Sequence, residues 1–206
     1  MNRTDRKFFE RYVKETNDGV KRVKYNKELS EKYKNDIFVA EFDNEWQNTL
    51  AYTLWYFKVI VVGKKIPGTF REAWTIWHEI GHIRKEEAHK DFGPEWDGID
   101  SHSLPIARTD EVAADWEAVK RGFGEDLIRD LAESAVNNII DGEISDNLDR
   151  IRRVRKFNKT GIWDAGISKP MSCKWAMVKV KSLSTLVNLT GAIGKHLVQA
   201  WIEHLA

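Results

Sequence analysis

A single cysteine, Cys173, among 206 residues leaves no partner for an intrachain disulfide and rules out a four-cysteine zinc site. With no base at a telling spacing, it reads as a small buried or half-buried side chain. No apolar stretch follows Met1, so the opening Met-Asn-Arg-Thr-Asp-Arg-Lys lacks the form of a signal peptide. No run of 18 uncharged apolar residues occurs, which argues against a membrane span. Internal repeats and low-complexity tracts are also missing. These absences point to a reducing, cytoplasmic setting with no membrane partner. Apolar material is nonetheless ample: 42% hydrophobic residues and nine Trp exclude a mainly disordered chain. The length suits one domain, or one domain with an appended segment.

A formal net charge of +1 conceals an asymmetry. Residues 1–149 carry 22 Lys and Arg against 30 Asp and Glu, a balance of −8. Residues 150–181 carry ten basic residues against the one acid Asp164, a balance of +9. An acidic body followed by a basic segment reads either as an anion-binding stretch or as two parts that attract each other.

The first 36 residues are polar and charged, with a turn signal at Asn17-Asp18-Gly19. The apolar runs 37–42 and 50–62, rich in aromatic and β-branched residues, predict strands. After Gly63-Lys-Lys-Ile-Pro-Gly68, Thr69 is positioned as the N-cap of a helix with Ala73, Ile76, Ile80 and Ile83 on one face. Residues 86–104 read mostly as loop. Further helices are expected from Thr109 to Gly122 or Gly124, over 125–140, and from Ser145 to Phe157. Residues 178–181 alternate like a strand. A final helix over 184–205 presents Leu186, Ile193, Leu197, Trp201 and Leu205, a stripe suited to a core or a partner-helix seam. The expected divisions are a polar N-terminal segment (1–36), a core (37–140) and a basic helical C-terminal extension packed on it (141–206).

One motif carries chemistry: His78-Glu79-Ile80-Gly81-His82, on the helix predicted after Thr69. Imidazoles at i and i+4 share a face, so both can reach one metal ion, and Glu79 stands beside it to accept a proton from a water. Chance alone produces such a pattern in a chain of this composition on the order of 1 time in 100.

A catalytic zinc site needs a third protein ligand and one open position. A metzincin pattern would require Gly at 85 and His at 88, where the chain has Lys85 and Ala88, with His89 one residue out of step. Glu111 is the strongest candidate, in Glu111-Val-Ala-Ala-Asp115 on the next helix. A spacing of four puts both carboxylates on one face, so that one can bind metal while the other accepts the N–H of a ligand imidazole. Small Ala113 and Ala114 would let this helix approach Gly81. The plainer reading, that Asp110 and Glu111 favour a helix N-terminus, would hold if the His motif were absent.

A strand, a short turn, a helix bearing His-Glu-Ile-Gly-His and a following helix bearing Glu-x-x-Ala-Asp together resemble the ImmA/IrrE-type zinc metallopeptidases, members of the gluzincin group. The resemblance covers about residues 57–120, a little under a third of the chain. It implies an α+β, helix-rich, zincin-like domain with a small sheet, and one Zn²⁺ per chain. It further implies His78, His82 and Glu111 as ligands, Glu79 as general base, and Asp115 as the partner of His78. The family continues the second motif with x-Phe-Ala, where this chain has Trp116-Glu117-Ala118. The implied activity is hydrolysis of peptide bonds in a protein substrate, often in that family a regulatory protein such as a repressor.

Other readings stay open. SprT-like proteases place a third His shortly before a Gly-x-x-Phe/Trp, and here Phe92 occupies that position within Phe92-Gly-Pro-Glu-Trp96, with His89 as a substitute. His102, His89, His196 or a tyrosine are candidate oxyanion donors. The basic run Arg150-Ile-Arg-Arg-Val-Arg-Lys156 puts Arg152, Arg153 and Arg155 where they could line nucleic-acid phosphates, or simply pair with the acidic body. The opposing class is a catalytically silent zincin scaffold that binds protein or nucleic acid through residues 150–206.

Overall fold

A computed structural model describes residues 1–16, 19–43, 50–85, 87, 106–137, 144–164, 196 and 199–200. In chain order the elements are α1 (Arg3–Thr16), β1 (Val20–Tyr25), α2 (Lys27–Tyr33), β2 (Asp36–Phe42), β3 (Ala51–Leu54), a 3-10 turn (Trp55–Phe57), β4 (Val59–Gly63), α3 (Arg71–Ile83), α4 (Ile106–Val119), α5 (Gly124–Asn137) and α6 (Ile144–Thr160). The fold is α+β and helix-rich, with a small mixed sheet in the order β1-β2-β4-β3.

Strand β4 explains how the layers assemble. It is buried along its whole length because it is covered on both faces, and it therefore reads as one unbroken apolar run. Alternate residues point to opposite sides of the sheet. Val59 and Val61 join Phe38, Ala40, Phe9 and Val13 beneath α1. Ile60 and Val62 join Ile37, Ile76 and Ile80 beneath α3. It runs parallel to β2, with Ile60 opposite Ile37, and antiparallel to β3, with Ile60 opposite Thr53. The stretch 50–62, which reads as one strand, is two. Trp55–Phe57 turns the chain, and Lys58 closes the turn in the left-handed region at φ 52°. This leaves β3 on the outer edge of the sheet.

The N-terminal 36 residues are polar in composition yet belong to the sheet layer. Asn2 Oδ1 accepts from the N–H groups of Thr4 and Asp5 and so opens α1. The helix buries only Phe9 and Val13, an i, i+4 pair within an otherwise charged sequence. Strand β1 pairs antiparallel with β2. The helix expected from Thr69 begins at Arg71, with Phe70 in the capping position, while Thr69 Oγ1 accepts from the Arg71 N–H at 3.2 Å.

A second core lies among the helices. Trp74 of α3, Ala118 and Val119 of α4, Leu127, Leu131 and Ala135 of α5, and Leu148, Ile151 and Val154 of α6 form one cluster. Helix α6, part of the expected C-terminal extension, is thus built into the same core as the expected central region. Of the final predicted helix only His196, Gln199 and Ala200 are described, each helical. The loop 86–104 apart from Glu87, the strand 178–181 and Cys173 lie outside the described residues, as do His89, His102 and the 92–96 motif. Among the described residues, no helix is long and apolar enough to cross a membrane.

Candidate metal centre

Helices α3 and α4 touch where their side chains are smallest. A Cβ placed on Gly81 would stand 3.0 Å from Ala114 O and closer still to its Cα, so only glycine permits the approach. The small pair Ala113 and Ala114 meets Gly81 as its sequence position foreshadows. This contact brings the acidic face of α4 against the imidazoles of α3.

His78 and His82, one turn apart, stand with ring centroids 4.8 Å apart and planes at 90°. Glu111 reaches both: its Oε2 is 3.4 Å from His78 Nε2 and its Oε1 is 3.5 Å from His82 Nε2. The other nitrogen of His78, Nδ1, lies 3.0 Å from Asp115 Oδ1, a bond that leaves Nε2 as the outward-facing lone-pair site. Glu79 is buried beside them, and Thr53 Oγ1 of the edge strand lies 2.6 Å from its Oε2. Ligand atoms of His78, Glu79 and His82 fall within 4.8 Å of one another, as do those of His78, Glu111 and Asp115.

The donor set fits zinc. Two imidazoles and one carboxylate are a mixed nitrogen and oxygen set of the kind that ion prefers. Donors held about 2.0–2.1 Å from a tetrahedral ion stand about 3.3–3.4 Å apart. Glu111 meets each imidazole at close to this separation through a different oxygen, Oε2 toward His78 and Oε1 toward His82. His78, His82 and Glu111 are therefore brought together in a way that could hold a metal, with Glu79 adjacent and Asp115 behind His78.

A further group enters from α6. Arg150 donates through Nε to Asp115 Oδ2 at 2.8 Å and through Nη2 to Asp115 Oδ1 at 2.7 Å. Its Nη1 lies 3.1 Å from Glu111 Oε2. In the sequence Arg150 is only the start of a basic run. Nothing in its local spacing marks it, because the acids it meets are 35 and 39 residues away. Thr53 was likewise unmarked.

Electrostatics follow from this packing. Burial alone would raise the Asp115 carboxyl, but Arg150 and His78 outweigh it and hold the group far below the usual carboxylate range. Burial would also raise Glu111, and it is likewise lowered, by His78 and Arg150. For His78 burial opposes protonation, yet the hydrogen bonds and charges of Asp115 and Glu111 prevail and raise it. His82 is lowered, by burial first and then by the charge on His78. A divalent cation on the imidazole lone pairs would invert this protonation of His78, since metal competes with the proton for the same site.

A cavity of about 550 Å³ opens over the cluster. Strand β3 contributes Ala51, Tyr52 and Thr53 to its wall, α3 contributes His78, Glu79 and His82, the chain just after α3 contributes Lys85, and α4 contributes Asp110 and Glu111. Its volume is in the range of ligand sites. Lys85 Nζ lies 3.4 Å from Asp110 at its rim. Of the candidate oxyanion donors, a tyrosine, Tyr52, lines the cavity, whereas His196 is exposed and does not.

The three arginines considered for nucleic acid are placed differently. Arg152 lies on the exposed side of α6, 3.5 Å from Asp149. Arg153 donates to the Asp164 backbone carbonyl and stands over the Trp163 ring. Arg155 is half-buried. Lys156 pairs with Asp164 at 2.7 Å. Comparison with protein-family models, curated proteins and solved structures returns no match.

Proposed function

We propose that the chain is a zinc-dependent peptidase acting on a protein or peptide substrate, of the ImmA/IrrE type that its two motifs resemble. The observation that carries this reading is Glu111 standing between the Nε2 atoms of His78 and His82 with Glu79 buried alongside. A purely structural zinc site is closed by four protein ligands and needs no general base. Here three protein ligands would leave one position for a water, and a cavity of about 550 Å³ lies over them.

His78, His82 and Glu111 would hold a zinc ion, which when bound would supply Lewis acidity and bring the pKa of a water toward neutrality. The chain's own residues do the rest. Glu79 accepts the proton of the attacking water and delivers it to the departing amine. Thr53 fixes the Glu79 carboxylate through Oε2, which leaves the other oxygen for the water. Asp115 holds His78 with Nδ1 protonated and so keeps the ligand nitrogen outward. Among the described residues β3 pairs only with β4, and an extended peptide added along its other side would lie at the wall of the same cavity.

The test is Glu79→Gln, which preserves size while removing the base. Zinc-loaded wild type and variant are incubated with a peptide library, and cleavage is read by mass spectrometry. Cleavage by wild type should fall at least a hundredfold in the variant, with zinc content and melting temperature retained. Equal cleavage by both proteins would sink the reading. Zinc-loaded wild type that cleaves nothing would favour a silent binding scaffold instead.

A further inference from the structure

Asp115 is buried in the protein, and an isolated carboxylate there would be costly. Two groups compensate it: the His78 Nδ1–H and the guanidinium of Arg150. The Arg150 contact is the bidentate fork that a planar guanidinium makes and an ammonium cannot. The fork does not use the whole guanidinium. Its remaining nitrogen, Nη1, is 3.1 Å from Glu111 Oε2, the same oxygen that lies 3.4 Å from His78 Nε2. One side chain from α6 thereby spans the two carboxylates of α4, one behind an imidazole and one facing it. Helix α6 is itself fixed by Ile151 and Val154, fully buried in the helical core.

We infer that Arg150 is a positioning residue of the metal centre, locking Asp115 and Glu111 in the geometry that zinc requires and thereby making zinc affinity depend on the docking of α6. This rests on the zinc reading above. Two physical effects of the guanidinium oppose each other. Its charge repels a cation and would weaken zinc binding, whereas its fork restrains a ligand and the partner of another ligand, which strengthens it. Two hydrogen bonds to Asp115 and an ion pair to Glu111 from one half-buried fork make restraint the larger effect. Removing Arg150 therefore weakens zinc, where charge alone would tighten it.

The experiment compares zinc affinity, by competition with a chromophoric chelator, in full-length wild type, Arg150→Lys, Arg150→Gln and Arg152→Gln, with a thermal melt of each. Arg150→Lys keeps a cation near Asp115 and preserves the fold, but one ammonium cannot hold both carboxylates. Its zinc affinity should fall ten- to a hundredfold while its melting temperature stays near that of wild type. Arg150→Gln should lose at least as much affinity and also melt lower, because Asp115 is left under-compensated. Arg152→Gln, on the exposed side of the same helix, should bind zinc as wild type does. A change smaller than tenfold in Arg150→Lys, or a gain, would overturn the inference, and so would failure of both Arg150 variants to fold. No zinc binding by wild type would overturn the zinc reading itself, whereas zinc binding equal in all four proteins would overturn only the role of Arg150.

Discussion

Thr53 has one hydroxyl proton and two acceptors within reach, Glu79 Oε2 at 2.6 Å and the Glu79 carbonyl at 3.0 Å. The shorter, charge-assisted bond takes the proton. The hydroxyl is then a fixed donor to the group proposed as general base, and Thr53→Val isolates that role because valine keeps the shape and strand preference of threonine. Cleavage should slow about tenfold with zinc content unchanged, the usual consequence of removing a hydrogen bond behind a working residue. An unaltered rate, measured on any peptide the wild type cleaves, would remove Thr53 from the account. Residues of this kind explain why part of the site was invisible in the sequence. The His78–His82 and Glu111–Asp115 spacings obey the helical period and can be read locally. Thr53 meets Glu79 across 26 residues and Arg150 meets Asp115 across 35, separations set by tertiary packing alone.

At the scale of elements, the centre depends on the contact between α3 and α4. Gly81→Ala would drive a methyl group into the Ala114 backbone, where no flexible side chain can give way. Overpacking of this sort costs about 1–3 kcal/mol. The melting temperature should drop by several degrees and zinc affinity should fall with it, since separating the helices withdraws Glu111 from the imidazoles. A Gly81→Ala protein with wild-type zinc affinity would show that the close approach does not set the ligand geometry. Much of this packing was legible: the small residues facing each other, the apolar run of β4, and the α3 stripe of Ile76 and Ile80. The break within 50–62 was not, because aromatic residues at 55–57 suit a strand as well as a turn. Nor was the role of the first 36 residues, where a mostly charged helix buries only Phe9 and Val13.

Another joint between elements carries a pH signature. Glu72, in the first turn of α3, accepts from Lys32 Nζ at 2.6 Å, Tyr33 Oη at 2.9 Å and the Gly68 N–H at 2.6 Å. Burial pushes its pKa up, but these donors outweigh burial and hold it below the usual value of 4.5. A carboxyl lowered in the folded state adds stability above its unfolded pKa and loses it as pH falls through the folded value. Glu72→Gln should therefore cost about 2 kcal/mol at pH 7. The gap from wild type should close as urea melts are repeated below pH 4. A gap of the same size at pH 3 would show that the charge on Glu72 does not matter.

For the whole molecule, the layers converge on one place. The sheet presents β3 at its edge, α3 lies across the sheet with the imidazoles, α4 supplies the carboxylates, and α6 reaches over from the helical core with Arg150. The charge asymmetry of the sequence acquires a partial explanation in that last contact, a basic residue of the C-terminal part neutralising acids of the body. In the proposed function this convergence makes a zinc site with Glu111 as third ligand. Its most direct test is zinc per chain, by elemental analysis of purified wild type and Glu111→Ala after identical reconstitution and dialysis. Close to one zinc is expected in wild type and a small fraction of that in the variant. No zinc in wild type, or equal zinc in both proteins, would contradict it.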